Sequence, residues 1–272
     1  MATYHAGGAA GGGNGAGGAA VGGTSGGSGR PAGRIVVTVI AAVLCIAAIA
    51  GIVLWRVGVF DSLVDPKPSA MNAEDAQRRW PRVSSSVDFN GNGVDDYADI
   101  VAGARADAER HPQYDGSYVA GGYPPDDRGV CTDVVWRAFK AAGYDLKSMI
   151  DADIEAHPDA YAAVAPTPDP NIDFRRVGVQ QTFLARYGVR LDDGTDDPAD
   201  WQGGDIVVFG SMKHIGIVSD ARDARGNALI IHNMGQRHRE NDYLTFAHRM
   251  PVTGHYRFDA SKVPPDVLKA WR

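Results

Sequence analysis

An uncharged apolar run near the N-terminus constrains this chain more than any other feature. Residues 35–55 contain no charged side chain over 21 positions, which is long enough to cross the hydrocarbon core of a bilayer. Arg34 and Arg56 bracket the run, and Trp55 occupies a position expected at a membrane interface. A cleaved signal peptide is shorter and lies nearer the N-terminus, and a buried helix of a soluble domain is seldom apolar on all sides. We therefore predict one transmembrane helix over residues 34–56.

Composition and charge divide the chain around this segment. Residues 1–33 are mostly Gly, Ala and Ser; such a tail buries too little apolar surface to offset its chain entropy, so we predict that it is disordered. Residues 57–71 contain two prolines and are a predicted linker. The first 56 residues carry three arginines and no acidic residue, so the remainder has a net charge of −9. An acidic domain argues against nucleic acid as a partner.

The flanking basic residues give a slight bias for orientation. Two arginines precede the apolar run, whereas one arginine and one lysine follow it among aspartates. The short polar tail and this bias favour a cytoplasmic N-terminus. We therefore expect a single-pass protein of the cell membrane whose C-terminal domain is extracytoplasmic.

A calcium loop of EF-hand type is predicted at residues 88–99, which read DFNGNGVDDYAD. Oxygen-bearing side chains occupy loop positions one, three, five, nine and twelve, and Gly93 occupies position six, where the loop turns sharply. An ordinary solvated Asn-Gly turn is the alternative. We predict a structural Ca²⁺ within a segment of residues 72–112, and no organic cofactor. The predicted ligands are Asp88, Asn90, Asn92, Val94 through its carbonyl, Asp96 and Asp99.

Cys131 lies at the start of a predicted helix. Val135, Phe139 and Ala142 recur at helical spacing, and Gly143 follows where a helix commonly ends. A thiol at a helix N-terminus is favoured as the nucleophilic thiolate. The other cysteine of the chain falls within the predicted span, so Cys131 is the lone thiol of the domain. It is either a buried, inert core residue or a candidate nucleophile.

The C-terminal third has the pattern of strands. Residues 205–209 form a short apolar run, residues 214–219 alternate, and residues 228–232 and 252–258 read as further strands. Helices followed by antiparallel strands indicate an α+β fold.

Two histidines lie at adjacent ends of these predicted strands. His214 opens one strand and His232 closes the next, so the turn between them brings the two residues to one edge of the sheet. If the Cys131 helix packs across that edge, a thiol, an imidazole and a polar orienting group meet, as nucleophilic catalysis requires. Asn233 is the alternative third member, and a zinc site using Cys and His is the alternative chemistry.

These stretches resemble a known family. The helix-start Cys131, the run GDIVVF, the run HIGIV that begins at His214 and the hairpin ending IIH at His232 look like the papain-like cell-wall hydrolases of the NlpC type. They look still more like a bacterial domain of unknown function within the papain-like group. The resemblance implies a papain-like core over residues 113–272, with a helix-start cysteine packed on an antiparallel sheet and a Cys-His-polar triad. This chain lacks the usual Asp-Cys-Ser-Gly, since Val130 precedes the cysteine.

We therefore expect a membrane-anchored, extracytoplasmic thiol hydrolase, an amidase or peptidase, acting on cell-wall peptide or another peptide-like substrate. Its catalytic residues are Cys131, His214 and His232. A non-catalytic, calcium-braced binding domain on the same scaffold and an acyltransferase are the alternatives. Tyr118, Tyr123 and Arg175 are the predicted substrate-binding residues.

Overall fold

The computed structural model describes residues 69–272. The predicted disordered tail at 1–33, the predicted span at 34–56 and the linker up to residue 68 lie outside the described residues. Within residues 69–272, none of the helices combines the length and the apolar character needed to cross a membrane.

Helices fill the first half of the described chain. Asn72 caps the first of them, because its side-chain oxygen accepts from the amides of Glu74 and Asp75. The helices are α1 (Ala73–Arg79), α2 (Asp96–Arg110), α3 (Cys131–Ala141), α4 (Leu146–Ala156), α5 (Pro158–Tyr161) and α6 (Val177–Tyr187), with short 3₁₀ turns at Asp173–Arg175, Pro198–Asp200 and Ala260–Lys262.

One helix differs from the sequence prediction. The periodicity indicates a helix from Asp173 to Tyr187, but the structure has a 3₁₀ turn, then Arg176 in an extended conformation, and only then α6. The break lets the side chain of Arg175 turn inward to Asp133, whereas a continuous helix would have kept it on the helix surface.

The strands form an antiparallel sheet of six members, in the order β3-β8-β4-β5-β6-β7. A separate parallel pair, β1-β2, runs beside the start of α3. The described residues thus confirm a mixed α and β architecture with an antiparallel sheet. The strands are β1 (Gln113–Tyr114), β2 (Arg128–Gly129), β3 (Gly188–Arg190), β4 (Ile206–Phe209), β5 (His214–Arg222), β6 (Ala228–Ile231), β7 (Glu240–Asn241) and β8 (Val252–Phe258).

Both faces of the sheet are covered, which explains why β4 is apolar at every position. Ile206 and Val208 join the larger core, which includes the buried faces of α2, α3, α4 and α6. Val207 and Phe209 point the other way, into a smaller cluster with Trp201 and Leu244. Alternate residues of a strand lie on opposite faces, so a strand covered on both sides is apolar throughout. The sheet therefore separates two environments, and β5 presents one residue to each in turn.

Helices α2 and α3 lie in close contact. A Cβ at Gly103 of α2 would stand 2.4 Å from the Cβ of Ala141 in α3, so only glycine permits this approach. The segment predicted as a calcium unit is consequently packed against the helix that carries Cys131.

Candidate functional site

Helix α3 begins at Cys131, and two hydrogen bonds hold the residues just before it. The amide of Val130 donates to Asp133 Oδ2 at 2.7 Å, which satisfies a group that the start of the helix leaves open. The side-chain amide of Asn233 donates to the carbonyl of Gly129 at 3.0 Å. These bonds fix the thiol between strand β2 and the first turn of the helix. Asn233 is therefore a support of the loop that precedes Cys131.

The thiol of Cys131 lies against the first peptide group of β5. It is 6 % exposed, and it faces the amide of Ile215, which follows His214, and the amide of Thr132. Burial raises the pKa of the thiol to about 11, although those amides act in the opposite direction. Loss of solvation thus opposes the thiolate that the helix start is expected to favour, and it is the larger effect. At neutral pH the group is a thiol.

The two predicted histidines contact one another directly. His214 Nε2 lies 2.8 Å from His232 Nδ1, and the rings are nearly perpendicular with centroids 4.9 Å apart. Ile217 pairs with Ile231, so His232, which follows β6, stands opposite Gly216. Gly216 has no side chain, and the ring of His214 reaches His232 diagonally over it. The rings of Phe209 and Tyr243 flank the pair.

Both imidazoles are held neutral. Burial lowers the pKa of His214 to about 3, and the neighbouring His232 lowers it further. Burial also lowers the pKa of His232 to about 4, with the charge of Arg239 acting in the same direction and a hydrogen bond from His232 to Asn241 opposing it. The resting protein thus has a neutral thiol in the larger core and two neutral imidazoles that pack with Phe209 and Tyr243 of the smaller cluster, with no standing ion pair between them.

Arg175 does not face a substrate cleft. Its side chain is 1 % exposed and its Nε donates to Asp133 Oδ1 at 2.8 Å, while another of its nitrogens donates to the carbonyl of Ser117. The guanidinium is therefore paired with Asp133, whose carboxylate caps α3. The predicted substrate-binding role is corrected to one of bracing the helix that carries Cys131.

The two predicted tyrosines occupy different settings. Tyr118 is exposed, and its hydroxyl donates to Asp169 at 3.1 Å, so it remains accessible to a ligand. Tyr123 packs in the core against Trp136, Phe174 and Trp271, and its hydroxyl donates to Asp145. Tyr123 is therefore a packing residue, because its ring and its hydroxyl are both engaged.

The structure brings the predicted calcium ligands only partly together. Asp88 accepts from the amides of Asn92 and Gly93, and Asp99 accepts from the side-chain amides of Asn90 and Asn92. Val94 is exposed on the loop surface, and its amide donates to Asn92 Oδ1.

Asp96 is not brought into this group. Its carboxylate accepts from the amide of Phe89 and from the hydroxyl of Tyr144, and burial raises its pKa. Only two carboxylates, Asp88 and Asp99, remain with the two asparagines. Among residues 69–272 no cluster of three or more His, Cys, Asp or Glu side chains is placed to hold a metal ion. As placed, the residues fit a complete calcium shell poorly.

A groove of about 850 Å³ lies between α1 and β5, lined in part by Trp80, Arg105 and Arg222. Cys131, His214 and His232 are not part of its lining. Volume alone therefore does not mark the candidate site, which is identified by its side chains.

Three site residues escaped the sequence reasoning. Tyr114 lies opposite Gly129 on the β1-β2 pair; its ring packs over Gly235, and its hydroxyl is close enough to the thiol for a charge on Cys131 to raise its pKa, after burial. Asn241 ends β7, the edge strand that pairs with β6, and its side chain is hydrogen-bonded to His232. Neither has a sequence signal, since each is one polar residue in a polar stretch. Gly216 did have one, because an isolated glycine inside a strand pattern indicates close approach.

The fold and site define a mixed α and β domain with a cysteine at the start of a helix and a histidine pair on an antiparallel sheet. Residues 101–258 match the family described as Domain of unknown function (DUF1287). The chain is also 38 % identical over 168 residues to the "Uncharacterized protein YijF" of Escherichia coli (strain K12), a match that spans 58 % of this chain and 80 % of that protein. The chain belongs to the DUF1287 family. No solved structure matches it.

Proposed function

We propose that the domain is a thiol hydrolase that cleaves an amide bond. The observation that carries the proposal is that the thiol of Cys131 lies against the peptide joining His214 to Ile215. His214 Nε2 is in turn held 2.8 Å from His232 Nδ1. His214 Nδ1 is the ring nitrogen left to accept the proton of the thiol; because the ring packs with Phe209 and Tyr243 on the face of β5 opposite Ile215, it must reorient before it can do so. A nucleophile, a base and a group that orients the base are the parts such chemistry needs.

The reaction proceeds by general-base transfer. As Cys131 Sγ attacks the carbonyl carbon, its proton passes to His214, which then donates that proton to the leaving amine. The C–N bond breaks, a thioester remains on Cys131, and water completes hydrolysis by the same route. We propose that the amide of Cys131, at the N-terminus of α3, stabilises the oxyanion.

The neutral resting state makes the proposed mechanism distinct from one with a preformed ion pair. The pKa of the thiol lies near 11 and that of His214 near 3. We expect the rate to be nearly constant through neutral pH and to fall on the acidic side, as the imidazoles take up protons.

Peptidoglycan stem peptide is the proposed substrate, and the domain is proposed to face the wall from a membrane anchor at residues 34–56. The order of elements supports a relation to the NlpC-type hydrolases, with the cysteine helix first and a histidine at adjacent ends of two later strands. Tyr118, which is exposed, and Tyr114, beside the thiol, are the side chains proposed to contact the peptide.

Hydrolysis of purified stem peptides by the full chain tests the function, with products identified by mass spectrometry. We expect Cys131→Ala and His214→Ala to abolish cleavage. His248→Ala is the matched control, since this histidine is exposed and packs only against Phe246 among the described ring contacts. Equal cleavage by wild type and Cys131→Ala would refute the proposal. Added amines would reveal acyl transfer if they replace water as the acceptor.

A second candidate is a non-catalytic binding domain on the same scaffold. The burial of Cys131 and the raised pKa of its thiol favour it, because an inert core cysteine has both properties. The pH dependence of alkylation by iodoacetamide separates the two. A catalytic thiol reacts in the folded protein at neutral pH and slows in His214→Ala, whereas a core thiol reacts only after unfolding.

A structural Ca²⁺ at residues 88–99 remains a proposal. Asp88, Asn90 and Asn92 lie on the loop before α2, and Asp99 in the first turn of α2 accepts from the two asparagine side chains; oxygen donors of this kind suit a hard cation. Bound there, the ion would brace the entry to α2.

A further inference from the structure

The amide of Asn241 has only one orientation that suits its backbone neighbours. Its Nδ2 donates to the carbonyl of His238 at 2.7 Å, and its Oδ1 accepts from the amide of Tyr243 at 2.9 Å. A flipped amide would set oxygen against oxygen and N–H against N–H. The oxygen is therefore the atom that faces His232 Nε2, at 3.1 Å.

This orientation determines where the protons lie in both imidazoles. An amide oxygen only accepts, so His232 Nε2 carries the hydrogen. A neutral imidazole has one N–H, which leaves a lone pair on His232 Nδ1. His214 Nε2, 2.8 Å away, must then donate to it. The lone pair of His214 consequently resides on Nδ1.

We propose that Asn241 is a positioning residue of the site, which fixes the tautomers of His232 and His214 in series so that His214 presents a basic Nδ1. The inference deepens the proposed hydrolase, and rests on it for the use made of that nitrogen. The placement of the protons itself rests on the hydrogen bonds alone.

Three other side chains surround the ring of His232, and one of them favours the opposite tautomer. Gln236 Nε2 lies 3.2 Å from His232 Nε2 and would favour the opposite tautomer, but it already donates to the carbonyl of His232 at 2.9 Å. The guanidinium of Arg239 disfavours a second proton on His232, and the ring of Tyr243 covers one side. Asn241 and Gln236 therefore favour opposite tautomers of His232. Replacing each in turn shows which of the two determines the tautomer.

Nitrogen-15 spectra of the full chain labelled at histidine report which ring nitrogen carries hydrogen, with single-histidine variants for assignment. In wild type we expect His232 as the Nε2–H tautomer. Asn241→Leu, which removes the acceptor at similar volume, is expected to convert it to Nδ1–H, whereas Gln236→Leu leaves Nε2–H. Asn241→Asp keeps an acceptor and is expected to restore Nε2–H and raise the pKa of His232. An Nδ1–H tautomer in wild type, or no change in Asn241→Leu, overturns the proposal.

Kinetics provide the second arm. Asn241→Leu is expected to lower kcat by roughly 10²-fold or more, with KM little changed, because the base then presents the wrong nitrogen. Asn241→Asp should recover much of that loss and shift the acidic limb of the pH profile upward. If neither the wild-type protein nor any variant cleaves peptide, the hydrolase proposal fails, but the spectra still determine the tautomer. If wild type cleaves and Asn241→Leu is equally active, the positioning role is refuted.

Discussion

Gly216→Ala is expected to disrupt the histidine pair, and its cost can be estimated from the contacts that the new methyl group would make. A Cβ at this position would stand 2.8 Å from Ile230 Cγ2, 3.1 Å from the Ile231 oxygen and 3.2 Å from His232 Cβ. Carbon atoms pack best at about 3.5–4.0 Å. The carbonyl oxygen of Ile231 belongs to the β5-β6 pairing and can move little, so the side chains of His232 and Ile230 must shift. Overpacking of this kind costs about 1–3 kcal/mol.

Two measurements on the same protein separate stability from chemistry. Guanidinium unfolding of the full chain should show a loss of about 1–3 kcal/mol, and cleavage of stem peptide should fall further than the folded fraction accounts for. Gly194→Ala is the control, because its Cβ would meet only Asp192 Oδ1, at 3.6 Å. An unfolding free energy of Gly216→Ala within about 0.5 kcal/mol of wild type would show that the strand accommodates a side chain there and that our account of the diagonal contact is mistaken.

Three further outcomes are expected. His214 and His232 have folded-state pKa values below the usual 6.5, so they contribute stability that is complete above about pH 6.5 and is lost as pH falls through about 4 and 3; acid titration of unfolding should show this slope, and His232→Asn should reduce it. Arg175→Met leaves the buried carboxylate of Asp133 without its cation, and should cost about 3–5 kcal/mol by guanidinium unfolding; a loss under about 1 kcal/mol would argue against a buried pair. Calorimetry with Ca²⁺ should give heat in wild type and none in Asp99→Ala, and silence in both at millimolar metal would remove the calcium proposal.

The sequence predicts those parts of the fold that depend on local patterns. The helix at Cys131 and the strands that begin near Ile206 and His214 lie within a few residues of their predicted bounds, because periodicity is a local property. The helix break at Arg176 was missed, since the cause is a carboxylate on another helix.

In the site, too, the sequence predicts what depends on local pairing and misses what depends on distant contacts. The sequence brings His214 and His232 together because hairpin pairing is determined by the strands themselves. It does not predict Asn241, whose role depends on where β7 lies across β6. The burial of Cys131, which raises the pKa of its thiol, is also not predicted, because the start of a helix can be read from sequence whereas the depth of burial of its first residue is a property of the assembled fold.

The burial of Cys131 has a consequence for redox chemistry. Peroxide and disulfide exchange act on exposed thiolates, whereas this thiol is covered and its pKa is raised to about 11. Oxidation to sulfenic acid, or exchange with another protein's cysteine, is therefore expected to be slower at this thiol than at an exposed thiolate. Among the described residues Cys131 is a free, buried cysteine, and its burial is expected to keep it reduced for longer than an exposed thiol.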